Sequence, residues 1–270
     1  METCFSNLNG RKLVIGLVHL LPMAGTPLYE EGNTERMTRK ALEDCKTLKA
    51  NGADGCLLQT VDVYYPSTDD TDYARVAGLS AVTARVRDAV GDDFIIGAQI
   101  MWNCITPSLA VCKAAGADFT RCSVLTGKAE SPYGPVWGDP LKVGEYRSKI
   151  GAGQIGMLAE ISGYHHTTAY SPEKIRQSAS ASMRLGANAI EVYDQDLAMN
   201  ERLVKDVKAA GDFPVILGGG TTVENCKDRL RYADGALVGT AFEGGRWGGP
   251  IIGPIVADYV KRVRELEAAG

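Results

Sequence analysis

The sequence predicts an α/β protein whose eight parallel strands close into a (β/α)8 TIM barrel, and three observations carry that prediction. Short apolar runs alternate eight times with longer helical patterns over 270 residues, which gives about 34 residues per unit, the length of a βα repeat. The runs stay apolar throughout, as strands do when helices cover both faces of a sheet. A Gly-Ala-Asp or Gly-Ala-Asn triplet precedes three of the runs, and glycine commonly ends a helix in the left-handed conformation.

These signals define the elements in chain order. The predicted strands are Leu13–His19, Gly55–Thr60, Phe94–Gln99, Phe119–Val124, Ile155–Ile161, Ala189–Tyr193, Pro214–Leu217 and Gly235–Val238. The clearest helices are Glu35–Ala50, Tyr73–Val90, Ser108–Ala115, Pro172–Leu185 and Glu201–Ala210. A doubly wound open sheet is the alternative, but no Gly-x-Gly-x-x-Gly segment follows the first strand. No linker or change of composition divides the chain, so residues 1–270 are assigned to one domain.

The composition excludes several classes of function. The chain has 33 acidic and 29 basic residues, and a net charge of -4 is too small to recruit nucleic acid by its field. No apolar run reaches the ~18 residues that a membrane-spanning helix needs, and the acidic start does not resemble a signal peptide. The seven cysteines show no Cys-x-x-Cys spacing, as in a reducing compartment. We therefore expect a cytoplasmic protein without nucleic-acid partners or membrane insertion, whose assembly into a homo-oligomer stays open.

The three histidines are the first candidates for catalysis, because barrels place function at the C-terminal ends of their strands. His19 follows the first predicted strand, and His165 and His166 follow the fifth. Imidazole is the side chain best suited to proton transfer near neutral pH. Glu160 ends an apolar run, where burial would raise its pKa and suit it to acid–base work. The alternative for Glu160 is a buried ion pair with Arg121 on the neighbouring strand.

These positions define a predicted proton-transfer centre of His19, Glu160 and His165. Asp194, after the sixth strand, is a further acid–base candidate, and the residues expected to orient the substrate are Gln59, Asn103, Arg121 and His166. No cofactor is predicted. A divalent metal held by His19, Glu160 and His165 stays open, although no His-Glu-x-x-His spacing supports it. No lysine ends a predicted strand, which argues against Schiff-base chemistry.

A phosphate site is predicted where the last two units end. Gly218, Gly219 and Gly220 follow the seventh strand, before Thr221 and a predicted helix, and a second turn follows the eighth strand at Gly239 and Thr240. Glycines let backbone N–H groups approach an anion, and barrels bind phosphate at these two loops. The alternative is a tight turn in which a threonine caps the helix.

Three segments resemble the BtpA/SgcQ family. Val14–Pro22 is similar to the opening motif of the family, Phe119–Gly127 to its fourth-strand segment, and Ala233–Thr240 with Gly245–Trp247 to its C-terminal motif. The resemblance implies a TIM barrel of the ribulose-phosphate-binding type. The family takes its name from a role in photosystem I biogenesis, and other members accompany sugar-uptake operons. The chain departs from the family pattern after the second and sixth strands, where it reads Gln59–Tyr65 and Glu191–Asp196.

These observations leave more than one function open. The first is an enzyme of carbohydrate metabolism that binds a phosphorylated sugar or ribosyl compound and acts by acid–base catalysis, as an isomerase, epimerase, lyase or glycosyl-bond enzyme. The second is a non-catalytic assembly factor, as the name of the resembled family suggests. A metal-dependent sugar-phosphate enzyme is the third.

Overall fold

The structure, a computed structural model, describes residues 2–61, 68–131, 134–166 and 169–269. Its elements in chain order are β1 Leu13–His19, α1 Asn33–Ala50, β2 Gly55–Gln59, α2 Tyr73–Val90, β3 Ile95–Gln99, α3 Ile105–Ala115, β4 Phe119–Cys122, β5 Lys128–Ser131, β6 Gly134–Trp137, α4 Pro140–Lys149, β7 Gly156–Ser162, α5 Pro172–Arg184, β8 Ala189–Val192, α6 Leu197–Ala210, β9 Val215–Leu217, α7 Cys226–Arg229, β10 Gly235–Val238 and α8 Gly253–Ala269.

Eight of the strands form a closed barrel in the order β1-β10-β9-β8-β7-β4-β3-β2, and every pairing among them is parallel. The predicted barrel is therefore confirmed, and the open sheet is wrong. Several strands differ from their predicted bounds by one or two residues. Within the described ranges, no helix combines the length and apolarity that a membrane crossing needs.

Two elements differ from the sequence prediction. The sequence predicts no strand between Phe119–Val124 and Ile155–Ile161, but this segment contains an antiparallel hairpin of β5 and β6 that lies outside the barrel. The glycine turn after β9 does not lead directly into a long helix, because α7 starts only at Cys226 and has four residues. A helix dipole therefore does not contribute to the predicted anion site, which depends on the backbone N–H groups of the turn alone.

The repeated triplets fix the starts of the strands as well as the ends of the helices. In each, the Asp or Asn side chain accepts the backbone N–H of a strand residue, and the pairs are Asp54 with Val14 at 2.8 Å, Asp118 with Ile96 at 2.7 Å and Asn188 with Met157 at 3.0 Å. Asp234 follows Tyr232-Ala233 and so lacks the glycine, but it accepts the N–H of Val215 in the same way at 2.7 Å. A basic side chain also contacts each of the four. A buried donor left unpaired costs about 1–3 kcal/mol, so this repeat stabilises the face opposite the strand C-termini.

The interior of the barrel is closed at that same face by the N-terminal segment. Phe5 is fully buried and meets Phe119 edge to face, with ring centroids 5.3 Å apart. It packs in one apolar cluster with Leu57, Leu158 and Ile216 from three strands. Because side chains fill this end of the barrel, the space for a ligand lies at the C-terminal ends of the strands.

Candidate active site

A cavity of about 580 Å³ lies at the C-terminal ends of the barrel strands. We call it the mouth cavity. Its wall includes most of the residues that the sequence predicts to form the site, namely His19, Gln59, Arg121, His165, Gly218, Gly219, Gly220, Gly239 and Thr240. The barrel thus brings together side chains from β1, β2 and β4 with the segment after β7 and the two glycine turns, although these lie far apart in the chain.

His165 is held by Glu160 through two contacts. The imidazole Nδ1 lies 2.6 Å from Glu160 Oε2, and the backbone N–H of His165 donates to Glu160 Oε1 at 3.0 Å. Trp102 packs edge-on against the ring, with centroids 4.5 Å apart. A carboxylate that accepts from Nδ1–H leaves Nε2 for a ligand, and no described residue bonds that atom. His165 therefore presents one free ring nitrogen to the mouth cavity.

His19 is held in the same way by a residue that the sequence analysis missed. Its Nδ1 lies 2.8 Å from Oε1 of Glu243, and both side chains are buried. The other oxygen of Glu243 accepts the N–H of Gly248 at 3.1 Å. Glu243 lies in the loop after β10, which neighbours β1 only because the barrel closes. The sequence signal that could have identified it is a single carboxylate three residues after the predicted anion turn at Gly239 and Thr240.

Arg121 links two buried carboxylates beneath His165. Its Nη2 donates to Glu160 Oε2 at 2.9 Å, and its Nε donates to Glu191 Oε2 at 2.7 Å. The ion-pair alternative for Glu160 is therefore confirmed, and the pair coexists with the His165 contact. Burial favours the neutral acid, but the charges of His165 and Arg121 outweigh it and hold the pKa of Glu160 well below its usual range.

The expectation that the pKa of Glu160 is raised is thus wrong, because burial is the largest single effect but not the only one. Glu191 behaves in the opposite way. Burial raises the pKa of Glu191, and the neighbouring Glu160 carboxylate adds to that effect while Arg121 opposes it. Between the two carboxyls, Glu160 is the one that stays ionised at acid pH and can stabilise positive charge on His165.

Gln59 offers an unused acceptor to the mouth cavity. The residue is only 9% exposed, and no described residue donates a hydrogen bond to its Oε1. A buried polar atom without a partner costs about 1–3 kcal/mol, and such atoms usually await a ligand or water. The side chain of Gln59 lines the mouth cavity, and a rotation of its amide would let this oxygen accept a hydrogen bond from a hydroxyl or amine of a bound molecule.

The glycine turns supply free donors. Among the described residues, none accepts a hydrogen bond from the backbone N–H of Gly219, Gly220 or Thr240. The N–H of Gly218, in contrast, donates to Val192 O at 3.0 Å. Gly218 is needed for space, because a Cβ there would clash with the carboxylate of Glu191.

Four predicted site residues do not line the mouth cavity, namely Glu160, whose contacts are given above, Asn103, His166 and Asp194. Asn103 exchanges two hydrogen bonds with the backbone of Val124, at 3.0 and 2.8 Å, so its amide is occupied in holding the chain after β4. His166 Nε2 lies 2.8 Å from Ser123 O. Asp194 accepts the N–H of Asp196 at 2.8 Å. His166 and Asp194 line a separate cavity of about 340 Å³ between β7, α5 and α6, the second cavity.

The metal alternative gains no geometric support. His19 and His165 each direct Nδ1 to a different carboxylate, and within the described ranges no three His, Cys, Asp or Glu side chains are grouped to hold a metal ion. Asp62, Val63, Tyr64 and Tyr65, where the chain departs from the resembled family, lie outside the described residues.

The parallel closed barrel defines the chain as a (β/α)8-barrel protein, and solved structures share this fold. Tryptophan synthase of Mycobacterium tuberculosis superimposes with a TM-score of 0.65 at 17% identity, covering 98% of this chain and 99% of that chain. N-(5'-phosphoribosyl)anthranilate isomerase of Pyrococcus furiosus gives a TM-score of 0.58 at 13% identity, with 94% and 99% covered.

The chain belongs to the BtpA family, whose sequence pattern matches residues 10–268. An uncharacterized protein of Thermococcus kodakarensis is 30% identical over 85% of this chain and 86% of its own length. The Photosystem I biogenesis protein BtpA of Synechocystis is 26% identical, with 85% of this chain and 80% of the relative covered. The resemblance that the sequence motifs indicated is therefore confirmed.

Proposed function

We propose that this protein is an enzyme that converts a phosphorylated sugar or ribosyl compound by acid–base catalysis in the mouth cavity. One observation carries the proposal: His19 and His165, each oriented by its own buried carboxylate, line one cavity together with two amide-rich turns. This pairing of proton-transfer groups with an anion site is what a reaction on a small phosphate ester requires.

The two imidazoles divide the chemistry between them. A neutral imidazole accepts a proton at Nε2 and becomes a cation that its carboxylate stabilises. A protonated imidazole returns a proton from Nε2 to another atom of the same substrate. One ring acting as base and the other as acid moves a proton across the ligand without changing the net charge of the site. The donors of Arg121, which is fixed by two carboxylates, orient an oxygen of the substrate between them.

The phosphate part of the proposal rests on the free N–H groups of Gly219, Gly220 and Thr240. The turns after the last two barrel strands are where this fold commonly binds phosphate. Two solved structures of the same fold carry the names of phosphorylated compounds, N-(5'-phosphoribosyl)anthranilate isomerase and thiamine phosphate pyrophosphorylase. The name of the Synechocystis relative supports the second candidate, an assembly factor. A scaffold has no need of two carboxylate-held imidazoles that face one cavity.

Replacing Thr240 with aspartate tests the anion site. Thr240 is exposed, so the change adds a carboxylate beside the free N–H groups without straining the core. We expect the affinity for ribose 5-phosphate, measured by titration calorimetry, to fall about 10- to 100-fold, because the added carboxylate repels the phosphate by about 1.4–2.7 kcal/mol. Thr240→Asn has nearly the same shape without the charge and is the matched control, which should retain most of the affinity. Equal affinities for the two variants would place the phosphate elsewhere.

A further inference from the structure

Two large aromatic side chains at the rim of the mouth cavity are more than half exposed to solvent, which is unfavourable for apolar rings. Tyr164 is 62% exposed and Trp247 is 61% exposed, and both line the cavity. An aromatic ring is stabilised when a second apolar or planar surface covers it, and ligand pockets are typically lined by such rings. Two rings that are each more than half exposed at one cavity indicate a ligand surface.

Both rings are held in place before any ligand binds. Tyr193 stacks on Tyr164 with centroids 4.2 Å apart and planes at 16°, and Tyr193 itself lines the second cavity. The stacked pair therefore separates the two cavities and leaves Tyr164 facing the mouth cavity.

Trp247 lies against His19, with centroids 5.1 Å apart. Its loop is held by the next residue, because the N–H of Gly248 donates to Glu243, the carboxylate that also orients His19. A fixed ring loses little entropy when a ligand stacks on it.

The polar groups of the cavity indicate which part of a ligand lies between the anion site and the two aromatic rings. Gln59 lines the cavity and its Oε1 has no donor among the described residues, and a ligand hydroxyl that contacts the amide is a suitable donor. A ligand that satisfies every part of the wall therefore has a phosphate, a hydroxylated middle and a planar end. The cavity volume of about 580 Å³ lies within the roughly 300–1,000 Å³ typical of sites for ligands of that size.

We infer that the mouth cavity binds a phosphate ester of a sugar that also carries a planar heteroaromatic group, and that Trp247 stacks on that group. This inference rests on the proposed function and narrows its substrate class from any sugar phosphate to phosphoribosyl compounds with a ring substituent. Trp247 is then a specificity-determining residue, and ligand stacking is coupled through the Glu243 loop to the imidazole of His19.

Titration calorimetry with three probes tests the inference: adenosine 5'-monophosphate, ribose 5-phosphate and inorganic phosphate. The nucleotide should bind about 5- to 150-fold more tightly than ribose 5-phosphate, the range that base–aromatic stacking supplies. Trp247→Ala should remove most of this difference by weakening the nucleotide selectively, and Trp247→Phe should recover part of it. Trp137, 66% exposed on β6 and outside the cavity, provides the control variant Trp137→Ala, which should bind like the wild type.

Fluorescence gives a second readout. The nucleotide should quench tryptophan emission in the wild type and in Trp137→Ala, but not in Trp247→Ala. If ribose 5-phosphate binds as tightly as the nucleotide, or if Trp247→Ala weakens both equally, the inference is overturned while the phosphate site stands. If none of the three probes binds, the proposed function fails as well.

Discussion

Replacing His165 with alanine is expected to lower the turnover of a phosphorylated substrate by about 10²–10⁴-fold, the contribution of one positioned proton-transfer group. The ring contacts Glu160 at 2.6 Å and presents its other nitrogen to the mouth cavity, so its removal takes away a proton carrier. His19→Ala should cause a loss of the same order, because His19 is the second carrier. The measurement is kcat at saturating substrate, with circular dichroism to confirm the fold.

His166 provides the matched control within the same loop. Its ring bonds the backbone of Ser123 and lines the second cavity, so His166→Ala should change kcat by less than about tenfold. Glu243→Gln keeps the shape beside His19 but removes the carboxylate that stabilises its protonated form, so it should act chiefly on kcat. If His165→Ala retains more than about a tenth of the activity, or if His166→Ala loses as much, the catalytic assignment is wrong.

Replacing Arg121 with methionine is expected to destabilise the protein by about 3–5 kcal/mol at pH 7, the cost of breaking a buried ion pair by removing one partner. The change leaves the carboxylates of Glu160 and Glu191 adjacent and buried without their shared cation. Equilibrium unfolding in urea measures the loss. If the variant does not fold, Arg121→Lys is measured in its place. Lysine retains the positive charge but lacks the planar guanidinium that bonds both carboxylates, so the free energy of unfolding should fall by less than about 3–5 kcal/mol.

The stability that Arg121→Met removes should decrease as the pH falls. In the wild type, the pKa of Glu160 is lowered from its model-compound value of 4.5, so its contribution is present above pH 4.5 and is lost as the pH falls below that value. Without Arg121, the effect of burial on Glu191 loses its main opposing charge, so the pKa of Glu191 rises further and the folded variant takes up a proton as the pH falls. The difference in unfolding free energy should therefore be largest near pH 7 and should shrink toward pH 4.5.

A second substitution isolates the repulsion between the carboxylates. Adding Glu191→Gln to the Arg121→Met variant removes one of the two buried charges, so it should recover part of the lost stability. In the wild-type background, the same substitution should destabilise the protein, because it removes a partner of Arg121. A stability difference that is constant from pH 7 to 4.5, together with no recovery in the double variant, would contradict this explanation.

The sequence predicts the fold well because its signals are local and repeated. The observed strands end one or two residues before the predicted ends at Thr60 and Val124. The predicted runs continue to those residues, but pairing with the neighbouring strands stops earlier. The hairpin of Lys128–Ser131 and Gly134–Trp137 was missed because two four-residue strands outside the barrel have no apolar run to mark them. The Gly-Ala-Asp triplets were detected as helix ends, whereas their side-chain bonds to strand starts depend on tertiary pairing.

The site was only partly predictable, for a physical reason. His19 and His165 are found from their positions after strands, which the barrel rule converts into one location. Glu243 is 224 residues from His19 in the chain, and only the pairing of β10 with β1 brings them together. The pKa of Glu160 depends on cations supplied by β4 and by the segment after β7, which the sequence does not place at specific distances. The stacking of Tyr164 on Tyr193 likewise follows from side-chain directions at two neighbouring strand ends.

A crystal structure of the protein soaked with ribose 5-phosphate tests most directly whether the mouth cavity is a phosphate-dependent acid–base site. The phosphate oxygens should accept from the N–H groups of Gly219, Gly220 and Thr240 at about 2.7–3.2 Å, with the sugar carbons between Nε2 of His19 and Nε2 of His165. A phosphate bound instead in the second cavity, or a sugar that leaves both imidazoles without contact, would contradict the assignment.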